Sequence, residues 1–425
     1  MKIYPKNYCE YLDFKKDDLY LENMKCSELA EKYGTPIYCY SLNEIEKKFQ
    51  LFKNTLNELN PLILFAMKSN YNPNILSLLS KLGCGVDVVS QGEIELALSA
   101  GVSPKKIVFS GVGKTDKEIS FALKKNILQL NVESVEELYE IEKISKANKK
   151  KIEISLRVNP NIDANTHKKI STGSYGDKFG IPHDDIIEIF KTFGNNKNLQ
   201  INGLAIHIGS QITDINPFKK AFKKLRDIIL LLKKNGFNIK KIDLGGGIGI
   251  NYNNNNVICL EEYKNQIKKN FDDLQVEILL EPGRFLVGSA GILLTQVIRI
   301  KNAGNQKFLI LDCGMNDLIR PSMYNAYHKI LPVRLSRRKF VKYDVVGPIC
   351  ESGDIFAKDR KLNELKKGDF LVICSVGAYG TCMTSYYNCR IPPKEILVKD
   401  TKSMNTKVRK TVEDLYENKI LKNAK

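Results

Sequence analysis

The chain has 425 residues, 43% of them hydrophobic, which suits a sizeable core divided between two domains. Its formal net charge of +18 raises nucleic acid as a partner, but the lysines are spread through helix-facing runs such as KKAFKKLRDIILLLKK (219–234), with no basic tail and no aromatic interleaving, so a solvated basic surface is the better reading. No run of about 18 apolar residues marks a transmembrane helix, the opening MKIYPKNYCEYLDFKKDD lacks the apolar region of a secretory signal, and ten scattered cysteines without a CxxC pair read as reduced thiols in a cytoplasmic enzyme.

Up to residue 35 no regular rhythm is visible. From about residue 60 to 285, short β-rich runs alternate with longer stretches of helical period. The strand candidates are LILFAM (62–67), GVDVVS (85–90), KIVFS (106–110), ILQLNV (127–132), IEISLRV (152–158), INGLAIHI (201–208), IKKIDLGG (239–246) and VEILLEPG (276–283). Eight strands alternating with helices predict an α/β fold, a (β/α)8 TIM barrel over 36–285, with a doubly wound open sheet as the competitor. In a barrel, functional groups gather at the C-terminal ends of many strands. Here those ends are Lys68, Asp87, Ser110, Asn131, Arg157, His207, the Gly245–Gly247 run and Glu281, which favours the barrel. After Arg284 the segments ILLTQVIRIKNAG, KFLILDCG, VKYDVVGP, LKKGDFLVICSVGAY and KEILVKD are strand-like and separated by Gly, Asn and charged turns. They predict a second, mostly β domain over 286–425, joined by residues 1–35. The segment LVKDTKSMNTKVRKTVEDLYENKI is expected to end as a short helix, and NYNNNN (251–256) reads as a polar loop.

Four features of the first region carry chemistry. The run DLGGGIGI (243–250) lets backbone N–H groups converge on an anion without Cβ obstruction, and equally describes a tight turn. Its place after the seventh strand is a frequent phosphate position in barrels, and Ser210 of HIGSQ can add a hydroxyl there. Glu281 of EPGR is open to reading as a general base, a metal ligand, a counter-ion for a protonated heterocycle, or an acid paired with Arg284. Metal is the poorest of these, because the chain has four histidines and no ligand cluster at metal spacing. His207 is either a packed core ring or a flat lid for a flat cofactor. Lys68 either finishes a strand in water or is a reactive amine. A lysine, a phosphate cup, a carboxylate and a flat ring together suit pyridoxal 5'-phosphate, which needs a lysine for covalent attachment and a partner for its pyridine nitrogen. A carboxylate there keeps that nitrogen protonated and the ring a strong electron sink, which points to decarboxylation.

On its ordered motifs FAMKSN, GVDVVSQGE, RVNPNIDANTHKKISTGSYGDKFGI, HIGSQ, GGGIGI, EPGR, MNDLIRPSMY, GPICESGD and GAYG, the chain resembles the barrel-type, alanine-racemase-like pyridoxal-phosphate decarboxylases of fold type III. MNDLIRPSMY and CESGD favour the diaminopimelate branch of that family over ornithine or arginine decarboxylases. The resemblance implies decarboxylation of meso-2,6-diaminopimelate to L-lysine. It assigns Lys68 to the cofactor's aldehyde, Glu281 to the pyridine nitrogen, and His207 to the ring face. Asp87, Ser210, Gly245, Gly246, Gly247, Arg284 and Tyr379 complete the cofactor set. Arg284, Arg320, Tyr324, Glu351 and Tyr379 are assigned to the substrate's far end, and Cys350 to returning a proton. It further implies a homodimer in which Cys350 and Glu351 enter the partner's site; the charge distribution and the lack of a long apolar run argue against a nucleic acid or membrane partner. Gln91 stands where a small residue is expected, and Ser69 where Ala is expected. Other substrates on the same fold, and a catalytically dead cofactor-binding protein, are the rivals. The latter should have lost Lys68 or Cys350, and both are present.

Overall fold

The computed structural model describes residues 5–164, 172–173, 176–253, 257–406 and 411. Parts of the motif that begins at Arg157, residues 165–171 and 174–175, lie outside them. The chain forms two units, one of Glu46–Ile250 and Asn256–Leu286, the other of Met1–Ile45, Asn251–Asn255 and Val287–Lys425.

The first unit is a closed barrel of eight parallel strands: β1 (Leu62–Ala66), β2 (Gly85–Val88), β3 (Ile107–Phe109), β4 (Gln129–Val132), β5 (Glu153–Asn159), β6 (Gln200–Ala205), β7 (Lys241–Asp243) and β8 (Glu277–Leu280). Each pairs with the next, and β8 returns to β1, with Leu279 opposite Leu62. The doubly wound alternative is thereby excluded, since an open sheet has two unpaired edges. Strands buried on both faces read as near-continuous apolar runs. Leu64 of β1, Val108 of β3 and Leu279 of β8 pack into one buried cluster.

The helices that follow the first four strands share a device. Asn72, Ser90, Thr115 and Ser134 each stand at the N-cap and accept a backbone N–H of the first turn, with Pro73 at N1 of the first helix and a full capping box between Thr115 and Glu118. Such caps contribute about 1 kcal/mol each. Each follows a strand-end polar residue (Lys68, Asp87, Ser110, Asn131) by a few positions, so the loop bearing that residue has both ends fixed.

The second unit is mostly β. Ile37–Ser41, Gly291–Ala303, Gln306–Leu311, Phe340–Val346, Ile355–Asn363, Phe370–Ile373 and Lys394–Lys399 belong to one mixed sheet, around a core that includes Leu12, Leu29, Ile292, Leu331, Val372 and Ile396. Two sequence expectations shift here. Ile355–Asn363 is a nine-residue strand that the apolar pattern does not mark. Lys402–Asn405 pairs antiparallel with Lys394–Lys399, and the helix expected near the C-terminus falls on residues outside those described. Among the described residues no helix is long and apolar enough to cross a membrane.

Candidate active site

At the C-terminal ends of the barrel strands, Lys68, Ser110, Asn131, Arg157, His207, Asp243 and Glu281 line one cavity. Lys68 is not on β1 but one short turn beyond it, in Met67–Ser69. That turn is closed by the Asn70 N–H to Met67 carbonyl bond at 3.0 Å and by the Ser69 hydroxyl, which donates to the Ala66 carbonyl at 2.8 Å. Ser69, unexpected from the resemblance, thus secures the turn. Gln91 donates to Glu95 along its own helix.

The Lys68 amine donates to Asp87 Oδ2 at 3.1 Å; Asp87 is fully buried, and its Oδ1 has no hydrogen-bond partner among the described residues. A buried acceptor without a donor is costly and marks a place where a further group is expected. Two more carboxylates lie beside it. Asp243 accepts from Asn131 Nδ2 at 2.9 Å and from the Gly245 N–H at 2.9 Å, while the same Asn131 amide reaches Ser110 Oγ at 3.1 Å and lies 3.5 Å from Glu281 Oε1. Burial, reinforced by the charges of Asp243 and Asp87, pushes Glu281 well above the usual carboxylate range, with Lys68 opposing; burial likewise raises Asp243, against hydrogen bonds from Glu281, Asn131 and Gly245. Of the two, Glu281 is pushed further toward its protonated form.

His207 stands two residues past β6, not within the strand. Its Nδ1 accepts the Gly246 N–H at 3.1 Å, so the ring is neutral with its proton on Nε2. Burial, then the charges of Lys68 and Arg157, drive its pKa well below the ordinary value.

The anion-binding side is built from two loops zipped together. The Ile212 N–H donates to the Gly247 carbonyl at 2.9 Å, the Gly249 N–H to the Ile212 carbonyl at 2.9 Å, and the Gln211 side chain bonds Ile250 at both ends. A Cβ at Gly246 would meet the Glu281 carbonyl at 2.1 Å, and Gly245 has a φ of +65°. Glycine there is a packing requirement as well as an opening. Arg284 Nη2 donates to Ser210 Oγ at 2.9 Å, which places a guanidinium and a hydroxyl together on one barrel rim.

Lys68, Asp87, His207, Ser210, Gly245, Gly246, Gly247, Glu281 and Arg284 all belong to the barrel unit. Arg320, Tyr324, Cys350, Glu351 and Tyr379 belong to the other unit. The loop carrying Cys350 and Glu351 is anchored through Asp354, whose carboxylate accepts the Ile349 N–H at 2.8 Å and the Met315 N–H at 2.6 Å. Asn388 Oδ1 accepts the Cys350 N–H at 2.9 Å, and both Cys350 and Glu351 are exposed. Tyr379 is half-buried in a left-handed conformation, φ +57°.

Ser110, Asn131, Arg157 and Asp243 enter the cavity without having been singled out from the sequence as site residues; their position at strand ends was the available signal. Glu133, one residue past β4, was missed altogether. Its carboxylate accepts Arg157 Nη1 at 2.7 Å, the Gly111 N–H at 3.0 Å and the Gly180 N–H at 2.9 Å. Behind it, the Lys114 amine donates to Glu137 at 2.6 Å and to the carbonyls of Gly111 and Asn131. Glu133→Gln, which leaves the buried Arg157 without its counter-charge, is expected to lower unfolding free energy by about 2 kcal/mol in urea titrations.

The residues present fit pyridoxal phosphate. A guanidinium, a hydroxyl and a glycine loop suit a phosphate dianion. The proton-holding carboxyl suits a heterocyclic nitrogen, and the strand-end amine suits an aldehyde. Among the described residues no group of His, Cys, Asp and Glu is placed to hold a metal ion.

Residues 42–288 match the family described as the pyridoxal-binding domain of pyridoxal-dependent decarboxylases. A diaminopimelate decarboxylase of Aquifex aeolicus is 43% identical over 396 residues, 93% of this chain and 94% of that one. The crystal structure of diaminopimelate decarboxylase from Helicobacter pylori complexed with L-lysine superposes with a TM-score of 0.89 at 43% identity, over 92% of this chain and 98% of that one. The corresponding enzyme of M. jannaschii, in co-complex with L-lysine, gives a TM-score of 0.93 at 34% identity over 97% of this chain and 98% of that one.

Proposed function

This chain belongs to the pyridoxal-dependent decarboxylase family, and from that premise we propose that it decarboxylates meso-2,6-diaminopimelate to L-lysine and carbon dioxide, the last step of lysine biosynthesis. The observation that carries the reaction type is the placing of Glu281, a buried carboxyl pushed toward its protonated form, in the same cavity as the Lys68 amine. Relatives at 43% identity that carry the name diaminopimelate decarboxylase support the substrate.

Pyridoxal phosphate, when bound, supplies the sink for the electron pair left at the α-carbon as carbon dioxide departs. Lys68 would hold it covalently, its amine being the group that a substrate amine would replace. Asp87 holds the Lys68 amine in place, and Glu281 supplies the proton facing the pyridine nitrogen. His207, neutral and fixed by Gly246, covers the ring face. Ser210, Gly245, Gly246, Gly247 and Arg284 would hold the phosphate, and the resemblance adds Tyr379 to them. Arg320, with Tyr324, reads the distal carboxylate of the substrate, and Glu351 reads its distal ammonium. Cys350 Sγ returns a proton to the α-carbon.

Incubation of purified, cofactor-loaded protein with meso-diaminopimelate should release carbon dioxide and L-lysine in equal amounts. No lysine above a no-enzyme blank would sink the substrate assignment. Borohydride reduction followed by peptide mapping should place the cofactor label on Lys68 and nowhere else.

The working unit in this reading is a cytoplasmic homodimer in which Cys350 and Glu351 of one protomer serve the site of its partner. It predicts complementation. Mixing inactive Lys68→Ala and Cys350→Ala proteins should restore about a quarter of wild-type activity, because half the dimers are mixed and each of these has one intact site. Mixtures that stay inactive after verified subunit exchange would rule out shared sites.

A further inference from the structure

Arg320 is a buried cation, 6% exposed, in a segment of irregular backbone and short helix. Two aromatic rings surround it. Arg320 Nη1 lies 2.9 Å from His328 Nε2, and His328 Nδ1 lies 2.8 Å from the Cys374 carbonyl oxygen. A carbonyl only accepts and a guanidinium only donates, so Nδ1 carries the proton and the Nε2 lone pair receives the bond from Arg320. The tautomer is thus dictated from both sides. The ring of Tyr252, from the asparagine-rich loop that reads as featureless in the sequence, lies 4.8 Å under the guanidinium carbon and meets His328 edge-on at 5.3 Å and 83°. One contact fixes the guanidinium in its plane, the other fixes the plane itself.

The identity of the acceptor matters. A carboxylate at this place would hold Arg320 as firmly but would cancel its charge. A neutral imidazole holds the geometry without itself offsetting that charge. We infer that His328, 1% exposed, is a specificity-determining positioning residue: it holds Arg320 so that the substrate must present a second carboxylate. This rests on the role of Arg320 proposed above.

Two substitutions separate the two ends of the imidazole. The amide of Gln can place an acceptor oxygen where Nε2 stands, whereas the shorter Asn can reproduce only the donor at Nδ1. H328N should raise KM for meso-diaminopimelate about tenfold with kcat within about threefold of wild type. H328Q should restore most of the KM, and neither should change the visible absorption of the bound cofactor. A purely structural ring predicts the reverse, with H328N the better replacement. H328N with wild-type KM therefore overturns the inference.

A measurement on the wild-type enzyme needs no variant at this position to fold. Nitrogen-15 shifts of histidine-labelled protein, assigned by substituting the other three histidines, should show His328 neutral with its proton on Nδ1. A proton on Nε2, or a doubly protonated ring, overturns the inference whatever the kinetics. Failure of the wild-type enzyme to turn over meso-diaminopimelate would bring down the substrate assignment, and the specificity claim with it. A wrong tautomer or an unaffected H328N enzyme would bring down this inference alone.

Discussion

Lys68→Ala is expected to reduce kcat by about 10³-fold or more, because the substrate amine then meets no covalently anchored cofactor to exchange with. Two readouts separate chemistry from folding. The variant should lose the visible absorption of covalently held cofactor and take up no borohydride-fixed label. It should also be less stable when cofactor-free, by about 1–3 kcal/mol in urea titrations, since the buried Asp87 carboxylate loses the charged donor that Lys68 supplies. Lys68→Arg restores a cation beside Asp87 but not an amine that can bond an aldehyde. Stability should therefore recover while activity stays lost, and activity in the Arg variant would contradict the role given to Lys68.

Glu281→Gln should separate stability from catalysis in the opposite direction. The Glu281 pKa in the folded protein is raised well above its unfolded value by burial and by the charges of Asp243 and Asp87. A raised carboxyl contributes stability in full below its unfolded pKa, and that contribution is lost as pH rises through the folded pKa. Cofactor-free wild type should thus lose thermal stability progressively from about pH 4 upward through that range. Gln carries no titrating proton, so the variant should show a flatter profile and a higher Tm at neutral pH, by about 2–6 °C for a gain of about 1–2 kcal/mol. The same change removes the proton-holding partner of the pyridine nitrogen, and kcat should fall about 10²–10³-fold. Scanning calorimetry across pH checks the first half and steady-state kinetics the second. An unchanged pH profile of Tm would contradict the proton assignment.

The barrel was legible because burial on both faces forces continuous apolar runs, and because each run ends in a polar residue where the strand opens to the site. The same reasoning mislaid the ends by one to three residues. Lys68 and His207 are not on strands but in the turns after them, and apolar Met67, Ile206 and Ile208 extend the run beyond the hydrogen-bonded ladder. Ile355–Asn363 escaped notice for the opposite reason. Its alternation is masked by charged residues on a largely solvated face.

Within the site, residues that match family motifs were named in advance, and their supports were not. Glu133 and His328 act through another side chain, so their signal is a partner distant in sequence: Arg157 is 24 positions away from Glu133, and Arg320 is 8 from His328. Tyr252 was unreadable because its loop is dominated by asparagine, and its ring becomes meaningful only when Arg320 lies above it.

The four caps that follow β1 to β4 have a bearing on how this surface came to carry so much lysine. Asn72, Ser90, Thr115 and Ser134 fasten each helix start within a few residues of the group it serves. Placement of the groups that end these four strands is then set by instructions a handful of residues long, renewed after each of them. The outward helix faces are relieved of any part in alignment. They are free to vary, so lysines of a chain whose net charge is +18 can stand there without disturbing the caps.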